Sequence, residues 1–265
     1  MLLDIIIIVL RETLEASILI SVLLSVSKRQ GVRFTWVPAS LLAGLVGAVV
    51  YAISLGEISE WFDYAGQEVV NAGLQFTVYL LVVALIPVQW LGLARSKHVL
   101  RNLMSVIVFV ALIREGAEIF VFYSGFLQKE GVLLKALTSG FVGGAVGLSV
   151  GAIVYYSLAM MRQSRVKLFH GAVLLLVAAG MVLQATQLLI QIDWLSSGAP
   201  LWDSSWFIGE ASVIGQMAYA IFGYEATPSL LELCAYSLSV VGIVSVAALV
   251  IKFEKTVTPF EEYIK

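Results

Sequence analysis

Charge is what this sequence has least of. Of its 265 residues, 13% are charged and 60% are hydrophobic, and mean hydropathy is +0.96. A soluble domain carries about a quarter charged residues, so lipid rather than water is the expected solvent. Cysteine is nearly absent: Cys234 stands alone, which excludes an intrachain disulfide framework and any thiolate cluster. The only histidines are His98 and His170. Both fall at the inner boundary of apolar segments and read as surface or capping residues. Paired intramembrane histidines are missing, which argues against b-type haem and a transmembrane reductase. No GxxxxGK[ST] loop occurs, so this chain does not drive transport with nucleotide. Neither an enzyme activity nor a nucleic-acid partner is expected. The start, Met1-Leu2-Leu3-Asp4, has no basic n-region, and Arg11 interrupts the apolar run, so residues 4–27 read as a retained helix rather than a cleaved signal.

What is present is a series of apolar stretches long enough to span a bilayer, each about 20 residues. The spans are 4–27, 36–55, 71–92, 103–126, 138–160, 169–192 and 228–251. The expected fold is all-α, a single polytopic transmembrane domain of seven helices. A less apolar segment, 203–224, reads as a short interfacial or re-entrant helix inside the outer connection 193–227. Pro228 suits the first turn of the last helix, where its missing N–H costs nothing. Residues 252–265 form a cytoplasmic tail. Lys28, Arg29, Arg33, Arg95, Lys97, Arg101, Arg162, Arg165, Lys167, Lys252, Lys255 and Lys265 fall on one side, against Lys129 and Lys135 on the other. That bias places the N-terminus outside and the C-terminus inside. The outer connections then carry Glu57, Glu60, Asp63, Glu68, Glu130, Asp193, Asp203, Glu210 and Glu225, either a cation-gathering vestibule or an incidental result of the weak constraint on acidic residues. Trp61, Trp194, Trp202 and Trp206 read as interface anchors.

The chain repeats itself. Arg11-Glu12-Thr13-Leu14-Glu15 recurs as Arg114-Glu115-Gly116-Ala117-Glu118, and Gly47-Ala48-Val49-Val50-Tyr51 recurs as Gly151-Ala152-Ile153-Val154-Tyr155, at nearly the same offset. Residues 4–92 and 103–192 are therefore expected to be duplicates. Three spans per unit is odd, so the two copies must be inverted. Such 3+3 repeats are a signature of secondary transporters, with the site near the midplane at the repeat interface.

Both charged motifs fall near that midplane. In a helix, glutamates at i and i+3 share a face, with the arginine one turn from the second. Counting 1.5 Å per residue, Glu12 lies roughly 12–14 Å below the outer start of its span and Glu115 roughly 18 Å from the inner start of its own. A central charge costs about 2.5–3.5 kcal/mol even on the lenient insertion scale. Six facing lipid would cost on the order of 15–20 kcal/mol. They must therefore face the bundle interior, pair with one another, or bind something. Arg11 with Glu15 and Arg114 with Glu118 are the expected ion pairs, unless the pairs cross between helices. The cluster sums to −2, which suits a divalent cation. Glu12, Glu15, Glu115 and Glu118 are the candidate ligands, with Arg11 and Arg114 balancing charge. Carboxylates without thiolate or imidazole favour hard cations. The structural alternative is a fixed network that pins two helices, although buried ion pairs stabilise less than apolar packing.

Weaker candidates surround this set. Glu232, one turn into the last span, could line the outer entrance or snorkel, and Asp4, at the mouth of the first, could line an entrance, although such a residue is more often a helix-start residue than a ligand. Gln184 and Gln187 share a face of span six as interhelical glue or as donors behind the ligands, and Gln89 is similar. Gly140, Gly143, Gly144 and Gly147 mark a close helix contact.

The doubled Arg-Glu-x-x-Glu resembles the high-affinity iron permease family, the oxidase-coupled iron transporters of fungi and bacteria. The similarity extends to Leu201-Trp202-Asp203-Ser204-Ser205-Trp206 and to Gly223-Tyr224-Glu225-Ala226-Thr227-Pro228-Ser229-Leu230-Leu231-Glu232. It departs from the usual Arg-Glu-Gly-Leu-Glu at Thr13 and Ala117. The resemblance implies seven spans, iron uptake across a plasma or bacterial inner membrane, and essential roles for Arg11, Glu12, Glu15, Arg114, Glu115 and Glu118. It also implies a separate extracytoplasmic protein that oxidises or delivers iron. Iron would be the transported substrate rather than a permanent cofactor, and homo-oligomers are compatible with this. A permease for manganese, lead or another divalent cation, and a non-transporting scaffold or sensor subunit, are the alternatives.

Overall fold

The computed structural model describes residues 2–91, 96–126 and 132–262. Arg95, Lys129, Glu130 and Lys265 lie outside the described residues. Among those described the chain is helical without a strand: α1 (Leu2–Arg29), α2 (Trp36–Ser59), α3 (Trp61–Tyr64), α4 (Gly66–Leu91), α5 (Ser96–Ser124), α6 (Leu133–Met160), α7 (Gln163–Gln191), α8 (Val213–Phe222) and α9 (Leu230–Glu262). Each apolar stretch read from the sequence falls on one long helix, its described residues inside that helix to within about two residues at either end, and the segment 203–224 holds the short α8.

Among the described residues, five helices, α2, α4, α6, α7 and α9, are long and apolar enough to cross a membrane, with mean hydropathies of 1.7 to 2.3. α1 and α5 are of matching length, 28 and 29 residues, but each carries its Arg-Glu-x-x-Glu motif within the helix. These two lie where such charges cost least. α1 is the core of the bundle, with Leu14, Leu19, Val22, Leu23 and Val26 fully buried.

The helices pair in a reciprocal pattern. The closest partners are α1 with α6, α2 with α5, and α4 with α7. Small residues make the first two contacts possible. A Cβ added at Gly143 would stand 2.4 Å from the Ile6 carbonyl oxygen, and one at Gly151 would stand 2.7 Å from the Ser17 Cβ. The glycine face of α6 is therefore seated on α1. On α2, Gly44 and Gly47 do the same against Leu112 and Ile113 of α5.

The linkers hold the ends of these pairs. α3 is a left-handed turn, with φ of 53°, 60° and 70° at Phe62, Asp63 and Tyr64, a conformation costing about 1–2 kcal/mol per residue. It reverses the chain between α2 and α4, and Phe62 stacks edge-on against Trp194 at 5.8 Å. Gly66 follows because the Ile58 carbonyl leaves no room for a Cβ. At the other end of the bundle, the Arg29 guanidinium donates to the Leu158, Ala159 and Met161 carbonyls, satisfying the last turn of α6 as a cation should.

α9 begins differently from the sequence expectation. Pro228 precedes the helix, and Ser229 is the cap. The Ser229 N–H donates to Glu232 Oε2 at 2.7 Å, and the Glu232 N–H is 3.4 Å from Ser229 Oγ. This is the reciprocal Ser-x-x-Glu box, so Glu232 serves the helix start. The helix then continues to Glu262, through most of the residues read as a tail.

The glycine contact yields a stability prediction. Gly143→Ala forces backbone apart at the α1–α6 crossing, an overpacking cost of about 1–3 kcal/mol, and should lower the melting temperature in detergent. Gly73→Ala, where an added Cβ meets nothing within 4 Å, should leave it unchanged or raise it.

Candidate functional site

α1 and α5 bring the two charged motifs into one cluster. Arg114 stands at its centre. Its Nη1 is 2.8 Å from Glu115 Oε1, 3.1 Å from Glu15 Oε2 and 3.9 Å from Glu12 Oε2, while its Nε is 3.0 Å from Glu118 Oε1. One guanidinium therefore touches all four glutamates of both motifs. Arg11 donates from Nε to Glu12 Oε1 at 2.8 Å and lies 3.6 Å from Glu118 Oε2. The expected Arg114–Glu118 pair is present. For Arg11 the partners are Glu12 and Glu118 rather than Glu15, because Arg114 has crossed from α5 to take Glu15.

Burial divides the cluster in two. Glu12, Glu15, Glu115 and Arg114 are 0%, 3%, 2% and 7% exposed. The side chains of Arg11 and Glu118 are about a quarter exposed and line a cavity of about 440 Å³. Glu12 reaches its floor, and Tyr51, Glu68 and Asn71 form polar parts of its wall. The first residues of α4 and the last of α7 rim the cavity, so it opens at the end of the bundle where α1 begins. Glu12 Oε2 has no hydrogen-bond partner although it is buried. Among the described residues, no three His, Cys, Asp or Glu side chains converge in ligand geometry. The physical reason is that Arg114 occupies the space between the carboxylates.

Two glutamines support Glu15 from behind. Gln184 Nε2 donates to Glu15 Oε1 at 3.2 Å, and Gln75 Nε2 donates to Gln184 Oε1 at 2.6 Å. Gln184 thus donates directly to a carboxylate of the cluster. Gln75 was not singled out from the sequence, although any amide within an apolar span is a signal. Gln187 faces elsewhere: it accepts from Tyr219 at 2.8 Å and donates to Glu225 at 2.6 Å. Asp4 is exposed in the first turn of α1 and does not line the cavity. Glu232 is buried in the α9 cap.

A second, smaller cavity of about 100 Å³ reaches Arg11 from the side of α8, lined also by Glu210, Tyr219, Tyr224 and Glu225. The Arg11 guanidinium lies 5.8 Å from the Tyr219 ring centre. The connection here is pinned across itself: the Leu201 N–H donates to the Pro228 carbonyl, the Ser204 N–H to the Ala226 carbonyl, and the Ala226 N–H to Glu210 Oε1. The segments 201–206 and 223–232, far apart in sequence from the charged motifs, form one lid beside them. Burial, with the Glu210 carboxylate alongside, pushes Glu225 up to about 7.

His170 is not a surface residue. It is 1% exposed, with Nε2 2.9 Å from Ser25 Oγ and Nδ1 3.5 Å from Gln89 Nε2. Its helix starts earlier than the apolar count suggested, which carries His170 inside.

Comparison with known proteins identifies the family of the whole chain. A family model described as the iron permease FTR1 family matches residues 2–105 and 94–258. Ferrous iron permease EfeU proteins of Escherichia coli O6:K15:H31 (strain 536 / UPEC), Escherichia coli O157:H7 and Shigella sonnei (strain Ss046) are 24% identical over 255 residues, covering 86% of this chain and 89% of theirs. No solved structure matches.

The position of Glu225 predicts a pH effect. Its folded-state affinity for a proton exceeds that of the unfolded chain, so its stabilising contribution is complete below the ordinary value of 4.5 and is lost as pH rises through about 7. Glu225→Gln should therefore gain melting temperature relative to the parent between pH 5 and pH 8. A constant difference across that range would contradict the assignment.

Proposed function

The chain belongs to the iron permease FTR1 family, and from that premise we propose that it carries iron ions into the cell through the site formed by its two Arg-Glu-x-x-Glu motifs. It is a multi-pass plasma-membrane protein. The observation that carries the reading is the meeting of both motifs around one guanidinium, with one edge of the cluster open to a polar cavity. The printed name of the relatives supports the ferrous ion as the form carried.

Seven spans, with the N-terminus outside, describe the topology. α1 and α5 cross with the other five long helices, because their charges are turned inward and onto each other. The reciprocal pairing of α1 with α6, α2 with α5 and α4 with α7 supports an inverted 3+3 repeat, with α9 as the seventh span. Orientation follows the twelve-to-two distribution of basic residues.

In this reading the ion enters the 440 Å³ cavity past Glu68 and meets Glu118 and Glu12. Hydrated ferrous iron is a cation of intermediate hardness that accepts carboxylate oxygen. At the cluster it exchanges water for oxygens of Glu12, Glu15, Glu115 and Glu118. Those oxygens are engaged by Arg114, so binding requires the guanidinium to yield its hydrogen bonds. The competition sets the affinity. Four bare carboxylates would hold a divalent ion too tightly to release it; two arginines lower the charge of the cluster to −2, and the ion can leave as the two halves rearrange. The capture of iron at the outer face by a separate oxidising or delivering protein fits the same reading.

A scaffold held by the same network is the competing account, and flux distinguishes the two. In proteoliposomes, Glu12→Gln and Glu115→Gln should each reduce ferrous iron uptake by at least 10-fold while the protein remains monodisperse. Uptake at the parent rate in both variants would exclude the site.

A further inference from the structure

The seam between α4 and α7 carries two buried polar rungs. Gln75 pairs with Gln184 at one level, and Gln89 with His170 at the other. The rungs are fourteen residues apart on each helix, about 21 Å at 1.5 Å per residue, so the antiparallel helices hold one register throughout. Each rung is tied to α1, through Gln184 to Glu15 at the first and through His170 to Ser25 at the second. Between them the seam is sealed by apolar side chains, Val78, Val82 and Leu85 of α4 with Leu19 and Val22 of α1 and Ala178 of α7, each fully buried or nearly so.

Ionisable groups buried at membrane depth are costly and mark ion routes by default, while amides there join helices or serve beside such groups. The first rung adds a specific observation. Gln75 is 2% exposed, yet its carbonyl Oε1 has no hydrogen-bond partner. Its amide nitrogen is already committed to Gln184, and the Gln184 amide nitrogen to Glu15. The chain of donors therefore runs toward the carboxylate cluster and leaves an unsatisfied hard oxygen at its far end. A carbonyl oxygen is a ligand for a divalent cation.

Resting on the transport reading above, we propose that the α4–α7 seam is the inward route of the cation, with Gln75 Oε1 the ligand that accepts the ion from Glu15. The His170–Ser25–Gln89 rung is the second station on the way out. The apolar side chains between the rungs are the inner gate, which separates as the two third helices part. This accounts for two features that the charged motifs leave unused: an orphaned carbonyl linked to Glu15 through the Gln184 amide, and a histidine buried at a three-helix junction toward the opposite end of the bundle from the cavity.

The test uses the full chain, with ferrous iron as the probe. Gln75→Met keeps the shape and removes the hard oxygen; Gln75→Glu keeps an oxygen. Equilibrium binding of iron to the purified protein and uptake into proteoliposomes are both measured, with Glu115→Gln alongside. The expected result is that Gln75→Met binds iron with the parent stoichiometry but takes it up at least 10-fold more slowly, and that Gln75→Glu recovers most of the uptake. Uptake by Gln75→Met within twofold of the parent overturns the hand-off. Equal loss in Gln75→Met and Gln75→Glu also overturns it, since that marks a packing role. If Glu115→Gln transports normally, it is the motif site itself that fails; if Glu115→Gln is inactive and Gln75→Met is not, only the seam does.

Discussion

The structure depends on the guanidinium of Arg114 among four carboxylates. A glutamate pair on α1 and another on α5 could not face each other at membrane depth without a cation between them, because like charges in a low dielectric repel strongly. Arg114 supplies that cation, touching Glu12, Glu15, Glu115 and Glu118 at 2.8 to 3.9 Å. Arg11 closes the exposed side through Glu12 and Glu118. The rest of the bundle serves this contact. Glycines on α6 let α1 sink to the centre, glycines on α2 do the same for α5, and the apolar faces of α4 and α7 shield the deep side of the cluster.

The same arrangement that makes the fold tolerable makes it usable. A fully satisfied ionic network buried in hydrocarbon would be inert, and replacing it with apolar side chains would often stabilise the protein more. Here the network is incomplete on purpose-built edges: Glu12 Oε2 and Gln75 Oε1 are buried without partners, and Glu118 opens onto a water-accessible cavity. In the proposed reading a divalent ion competes with Arg114 for oxygens that are already gathered, and binding and release are a balance between that guanidinium and the ion.

Much of this was legible in residue order, and the failures are instructive. Six charges inside apolar stretches pointed to one site, because isolated intramembrane charge is too costly to be decorative. Gln184 was expected as interhelical glue or as a donor behind the carboxylates, and it donates to Glu15. Which arginine pairs with which glutamate could not be read, since i,i+4 spacing permits Arg11–Glu15 while the crossing of α1 and α5 hands Glu15 to Arg114. Glu232 was read from its depth as an entrance or snorkelling residue; the Ser229-x-x-Glu232 spacing, a local capping signal, adds its role at the helix start. His170 was misjudged because hydropathy locates the apolar part of a helix rather than its first turn, and α7 starts at Gln163. The pinning of segment 201–206 onto 223–229 depends on backbone hydrogen bonds between loops, for which no periodicity exists.

The central claim is that the two motifs share one ion. An anomalous-difference map collected at the iron absorption edge from crystals grown with ferrous iron addresses it directly. The account predicts a single dominant peak bounded by Glu12, Glu15, Glu115 and Glu118, with Arg114 withdrawn from at least two of them. A strong peak elsewhere in the bundle, with the Arg114 contacts intact, would contradict it.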